Sequence, residues 1–313
     1  MKDILAYLRL VRITNLIIIV LTQYFFRYFI ILPLYKLENV VPPTGSLFFF
    51  FLVMSTVFLA AAGYAINDYF DMRIDHINKP DKMLLGKIIP RRMAILIHGV
   101  LTGAGILLSF IAAFMIGSLK LGFVSVIIAF TLWQYSHKFK ASFITGNIII
   151  ALTSAFVVFI VWLFEFYAQV NTGHALLRGK AFLDFFMLAY LFFAFVTSLI
   201  REIIKDIEDI EGDGRVGRQT IPVKLGINKT KVISSVLVML NILFLGLMVF
   251  KLFNFHSFKI LCYYLIFLAG LFVYLLFLIN KAKEKSDYSF ASMYVKIIMF
   301  AGLLSMQLIY ILN

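Results

Sequence analysis

The chain is short of charge, of acidic residues above all, and of sulfur that could be cross-linked. Only 14% of its 313 residues are charged, against about a quarter in soluble globular proteins. A soluble core of this size has no use for the long uncharged runs that result. The single cysteine, Cys262, excludes an internal disulfide and reads as a small buried hydrophobe inside an apolar run. No small-residue cleavage site follows the first apolar run, which is also too long for a signal-peptide core. Acidic residues number 16 against 29 Lys and Arg, for a net charge of +13. That balance raises the question of nucleic acid. The basic residues, however, sit in short segments between apolar runs, as cytoplasmic loops of membrane proteins do, and a nucleic-acid partner is excluded.

What is abundant is apolar: 62% of residues, with 35 Phe and 15 Tyr. Runs of about 18 or more apolar residues suffice to cross a bilayer as helices. Nine spans are expected, over roughly 13–33, 46–67, 94–117, 119–136, 143–164, 183–204, 232–251, 259–280 and 291–312. The fold class is therefore all-α and polytopic, because lipid offers an open backbone no hydrogen-bond partner. The runs do not alternate as barrel strands would. With the N-terminus inside, about 21 of the 29 basic residues fall on one side, in keeping with the positive-inside rule. Arg27 is assigned to the opposite, external side. So are Glu165, Asp184 and His174, read as solvated loop residues. An integral protein of the plasma or inner membrane follows, its N-terminus and its two longest polar loops (about 68–93 and 205–231) cytoplasmic.

Both of those loops begin with carboxylates. The first reads Asn67-Asp68-Tyr69-Phe70-Asp71-Met72-Arg73-Ile74-Asp75, the second Lys205-Asp206-Ile207-Glu208-Asp209-Ile210-Glu211-Gly212-Asp213. Each sets Asp at i, i+3 and i+7, which on a helix lie on one face within about 60°. Grouping like charges is unfavourable, since each carboxylate resists ionisation of its neighbours. A cation should offset it, and oxygen-only ligands select a hard ion such as Mg2+. Asp68, Asp71, Asp75, Asp206, Asp209 and Asp213 are the candidate metal ligands. Two such faces converging across a bundle would clamp a diphosphate through bridging ions. Neutralised in this way, a diphosphate becomes a good leaving group, and an allylic C–O bond can ionise to a cation that aromatic faces stabilise. Arg73, Arg201, Lys205 and Lys140 lie where they could meet diphosphate oxygens.

These residues resemble the UbiA superfamily of intramembrane prenyltransferases. Asn67, Asp68, Asp71 and Asp75 match its first acidic motif; Asp209 and Asp213, with Asp206, match its second. Arg12-Ile13-Thr14-Asn15-Leu16 is similar to its first-helix Arg-x-x-Asn-Leu, and Tyr135-Ser136-His137-Lys138-Phe139-Lys140 to the end of its fourth helix. The resemblance implies one domain over 1–313, a nine-helix bundle around a central chamber, and both acidic loops capping it. It implies Mg2+, a prenyl diphosphate donor, and a lipid or aromatic acceptor reached among membrane lipids. Asp71, Asp75, Asp209 and Asp213 would be catalytic, and Asn67 would bind substrate. Tyr135 is placed near the reacting prenyl carbon and Asn15 near the acceptor. Arg201 to Asp209, Gln219 to Gly226, and Ile77-Asn78-Lys79-Pro80 look like the archaeal-type branch, which transfers geranylgeranyl to geranylgeranylglyceryl phosphate. In that loop Asp81-Lys82-Met83-Leu84-Leu85-Gly86 departs from the Arg-Pro-rich stretch usual before the Gly.

Three other readings compete with this one. Prenylation of a quinone precursor keeps the donor and changes the acceptor. A cation-coupled transporter would place its carboxylates near the bilayer midplane, on broken helices. A CDP-alcohol phosphotransferase would carry Asp-Gly-x-x-Ala-Arg, and no such string occurs.

Overall fold

The computed structural model describes residues 2–78, 80, 83–173, 176 and 179–310. Lys79, Asp81, Lys82 and His174, named above, lie outside them. Thirteen α-helices make up most of the described residues, with no strand among them. Among the described residues nine segments are long and apolar enough to cross a membrane: Ile13–Leu37, Ser46–Asn78, Arg91–Met115, Leu119–His137, Thr145–Thr172, Gly179–Glu208, Ile227–Leu252, Lys259–Lys281 and Lys285–Ile309. Each overlaps one expected span. The protein is an all-helical integral membrane protein.

The first span is not a simple helix. It consists of α2 (Ile13–Phe26), a π-helical turn (Arg27–Ile31) and α3 (Leu32–Leu37), with Pro33 starting α3. Before it comes α1 (Lys2–Leu10), and after it α4 (Ser46–Asn78), α5 (Arg91–Met115), α6 (Gly122–His137) and α7 (Thr145–Thr172). Then follow α8 (Gly179–Glu208), α9 (Ile210–Val216), α10 (Ile221–Leu225), α11 (Ile227–Leu252), α12 (Lys259–Lys281) and α13 (Lys285–Tyr310). Glycines in the left-handed region end two of the short helices: Gly217 (φ 78°) after α9 and Gly226 (φ 81°) after α10.

Two compact units divide the chain. The first comprises Met1–Tyr24, Asn39–Lys140 and Val157–Leu177; the second Phe25–Glu38, Ala141–Phe156 and Arg178–Asn313. Within the first unit α4 packs along α5 and α6. Small residues let the backbones approach: Ser55 Oγ donates to the Gly105 carbonyl at 2.7 Å, the kind of contact that holds helices together where lipid competes for apolar surface. Within the second unit α8 packs against α11 and α13, and α12 lies against both of those.

Several expectations need correction. The carboxylates do not open loops: α4 runs through all three aspartates of the first set to Asn78, and α8 runs to Glu208. Leaving the apolar zone does not end a helix, because its i→i−4 bonds are internal. The second set does not share one continuous helical face either, since the helix breaks at Asp209 (φ −98°, ψ 6°) before α9 begins. Gly212 and Gly214 follow, and glycine is a poor helix former. Arg27, counted on the external side, lies within the first span, on the π-turn, and is buried. Glu165 is not solvated. It sits on α7, 1% exposed, and accepts a hydrogen bond from Thr44 Oγ1 at 2.9 Å.

Candidate active site

At the end of α4, in the first unit, the three aspartates lie on one side of the helix. Asp71 is buried, and a buried carboxylate is tolerated only when donors meet it. Two do. Asn67 Nδ2, one turn earlier, donates to Asp71 Oδ2 at 2.8 Å. Lys140, on the short turn after α6, donates to the same oxygen and to Asn67 Oδ1, the latter at 2.9 Å. Asn67, Asp71 and Lys140 thus form one closed network.

Asp68 pairs with Arg12, whose Nη2 donates to Oδ1 at 2.8 Å. The guanidinium also stands over the Tyr64 ring, 4.8 Å from its centroid, a favourable cation–π distance. Burial works against the charge on Arg12, the adjacent Asp68 favours it, and the balance raises the guanidinium pKa above its usual value. Arg12 occupies the junction of α1 and α2 with φ 52°, an uncommon conformation for a residue with a side chain. Asn15, one turn into α2, points its Nδ2 at the Tyr64 hydroxyl at 3.4 Å. Arg12, Asn15, Tyr64 and Asp68 therefore form a second network beside the first.

Of the remaining first-unit residues, Tyr135 is buried on α6. His137, two positions on, stacks on Trp133 (5.5 Å, 13°) and meets the Phe70 ring of α4 at 5.3 Å. Arg73 is exposed, about 160° around α4 from Asp71 at 100° per residue, and is not brought to the carboxylates.

In the second unit Asp206 accepts from Asn147 Nδ2 of α7 at 2.7 Å. Asp213 is buried, with Arg218 Nη1 at 3.5 Å and Thr220 Oγ1 at 3.4 Å. The left-handed Gly217 turns the chain after α9 so that both residues come back to Asp213. Arg201 pairs with its neighbour Glu202 at 2.6 Å. Lys205 lies in the last turn of α8. Asn147, Arg218, Thr220 and Tyr64 were not singled out from sequence. For Arg218 and Thr220 a signal existed in Gly217, a natural turn residue; for Asn147, 59 positions from Asp206, there was none.

Among the described residues no three His, Cys, Asp or Glu side chains stand close enough to hold a metal ion. The donor chemistry nonetheless suits magnesium. All six aspartates offer oxygen, and magnesium takes one or two carboxylates and completes its shell with water and substrate phosphate. Arg12, Lys140 and Arg218 now balance negative charge that such an ion would take over.

A sequence model of the UbiA prenyltransferase family matches residues 29–303, across both units. A digeranylgeranylglyceryl phosphate synthase of Pyrococcus horikoshii is 34% identical over 207 residues, covering 65% of this chain and 65% of that protein; the match thus spans slightly under two thirds of that relative. A solved structure from work on digeranylgeranylglyceryl phosphate synthase in membranes is 27% identical, covers 98% of each chain and has a TM-score of 0.64. The structure of a UbiA homologue from Archaeoglobus fulgidus bound to DMAPP and Mg2+ is 16% identical, with 96% of this chain and 98% of that chain covered and a TM-score of 0.57. That last likeness is one of fold.

Proposed function

From the premise that the chain belongs to the UbiA prenyltransferase family, we propose that residues 1–313 form one enzyme domain. It moves a prenyl group from its diphosphate to a lipid acceptor of the geranylgeranylglyceryl phosphate class. The observation that carries the reading is Asp71, a buried carboxylate held by Asn67 and Lys140 at a helix end beside a second Arg–Asp pair. A fold needs no such concentration of charge there. The relatives named digeranylgeranylglyceryl phosphate synthase support the acceptor, and the homologue bound to DMAPP and Mg2+ supports the donor and the ion.

In this proposal Asp68, Asp71 and Asp75, and Asp206, Asp209 and Asp213, supply oxygen ligands for magnesium. When bound, the ion neutralises charge on the diphosphate leaving group. Lys140 and Arg12 then exchange carboxylate for phosphate oxygen, a swap their charge and reach allow. Lys205, Arg201 and Arg73 add positive potential to the approach of the anionic donor. Asn67 keeps Asp71 oriented while Lys140 moves. Tyr135 presents an aromatic face to the developing allylic cation, and Asn15 orients the acceptor. Both carboxylate-bearing helix ends face the cytoplasm, where soluble diphosphate and magnesium are supplied.

The test is transfer of label from radioactive geranylgeranyl and farnesyl diphosphates by purified protein, with and without magnesium, to a panel of acceptors read by mass spectrometry. Magnesium-dependent ether formation on geranylgeranylglyceryl phosphate is expected. Prenylation of aromatic acceptors alone would move the protein to another branch of the family. Neither transfer nor diphosphate release with any acceptor would overturn the enzyme assignment.

A further inference from the structure

We propose that α1 is a monotopic helix seated in the bilayer interface, gripping the headgroup region on one face and bracing the 83–94 segment on the other. At nine residues it is about 14 Å long, under half the hydrocarbon thickness of about 30 Å, so it cannot cross. Nor can it prolong the first span, since the left-handed Arg12 breaks the helix between α1 and α2.

The helix is apolar on two faces. Ala6 and Leu10 are fully packed, in a cluster with Ala65 of α4, Leu85 and Ile89 of the following segment, and Ala94 of α5. Ile4, Leu5 and Leu8 are 65%, 50% and 39% exposed. At 100° per residue they fill an arc of about 100° almost diametrically opposite Ala6 and Leu10. Arg9, also exposed, falls just beyond Leu5 at the edge of that arc. Apolar side chains flanked by a cation are what an interfacial helix offers to acyl chains and anionic headgroups.

Lipid is the occupant because a membrane span follows the helix directly. Ile13 and Ile17, at the start of that first span, are exposed too, so exposed apolar side chains flank the Arg12 break on both sides. The packed face gives the helix a consequence for the site: Tyr69 and Met72, set between the aspartates of α4, pack against the same cluster as Ala6 and Leu10. Lipid contact on one side of α1 therefore supports the helix end that carries Asp68 and Asp71.

The test uses the full chain, with Cys262→Ala, in nanodiscs of phosphatidylcholine with and without phosphatidylglycerol. Nitroxides at Leu5→Cys, Leu8→Cys and Arg9→Cys report depth through collisions with oxygen and with a water-soluble nickel chelate. Labels at 5 and 8 are expected about 5–10 Å below the phosphates, the depth of an interfacial helix, with position 9 at or above phosphate level. Nickel access at 5 and 8 equal to that at 9 overturns the proposal, because the face is then in water. Shielding of 5 and 8 from both reagents also overturns it, because protein (a second copy included) then covers the face. Separately, Ile4→Asp with Leu8→Asp should speed amide hydrogen exchange across 83–94. Unchanged exchange there removes the bracing half of the proposal.

Discussion

Replacing Lys140 by Met should weaken the metal-free protein and at the same time improve its hold on magnesium. Lys140 and Asp71 are both mostly shielded, with side chains 16% and 8% exposed, so the pair is not a solvated one of negligible worth. Removing one partner from a buried pair costs about 3–5 kcal/mol. Asn67 stays bonded to Asp71 at 2.8 Å, and a hydrogen bond to a charged group is worth about 1.5–3 kcal/mol, which softens the loss. A net destabilisation of about 2 kcal/mol is expected, or about 3 °C in Tm at an unfolding entropy of about 2 cal/mol/K per residue over 313 residues. Binding a divalent ion to the variant no longer requires displacing a cation. Two positive charges against one, at about 7 Å and an effective dielectric constant of about 40 for a partly hydrated site, repel by about 2 kcal/mol. Magnesium affinity without substrate should then rise by roughly thirtyfold. Thermal denaturation in detergent, titrated with magnesium, reads both effects: the variant melts lower without the ion and gains more from it than the parent. A variant that melts like the parent, with the same magnesium response, would refute the network and reduce Lys140 to a marker of topology.

Asp71→Ala and Asp209→Ala should each abolish turnover while the protein still inserts and purifies as a helical species; full activity in either would sink the proposal that both carboxylate sets are needed. Asn147→Ala removes the 2.7 Å donor to Asp206 and should cost about 1.5–3 kcal/mol, seen as a lower Tm, with magnesium recovering part of it. In Gly105→Leu the new Cβ would stand 2.9 Å from Leu59 Cγ and 3.2 Å from the Ser55 carbonyl oxygen. Overpacking α4 against α5 should destabilise by about 1–3 kcal/mol, measured by the same melt, and a neutral result would mean that the two helices separate freely.

The nine spans were legible because hydropathy and length are local properties, summed along the chain with no need of partners. Their ends were not, since sequence marks where apolar residues stop while backbone bonding marks where helices stop. Hence α4 carries the first carboxylate set on a helix that was expected to finish before it. Glu165 teaches a related lesson: a lone acid within Val161-Trp162-Leu163-Phe164-Glu165-Phe166 is costly in lipid. Its apolar surroundings pointed to an interior position with a bonded partner such as Thr44. Arg27, set between Phe26 and Tyr28, carried the same signal.

The acidic motifs themselves stated only half of an electrostatic balance. Like charges on a helix face need compensation, and sequence spacing suggested a metal ion as its source. In the structure the protein already supplies much of it: Arg12, 56 positions from Asp68, and Lys140, 69 positions from Asp71, reach the carboxylates from the junctions that follow α1 and α6, while Asn147 and Arg218 meet Asp206 and Asp213. Such pairings have no period and leave no trace in spacing. They also alter what the motif does. A site compensated by cationic side chains would bind a bare divalent ion weakly and an ion arriving with a diphosphate well, because the displaced Lys and Arg would gain phosphate oxygens in exchange. Under the proposed function, the residues that stabilise the fold would thereby favour metal and donor binding together over metal alone. The Lys140→Met titration separates these two contributions.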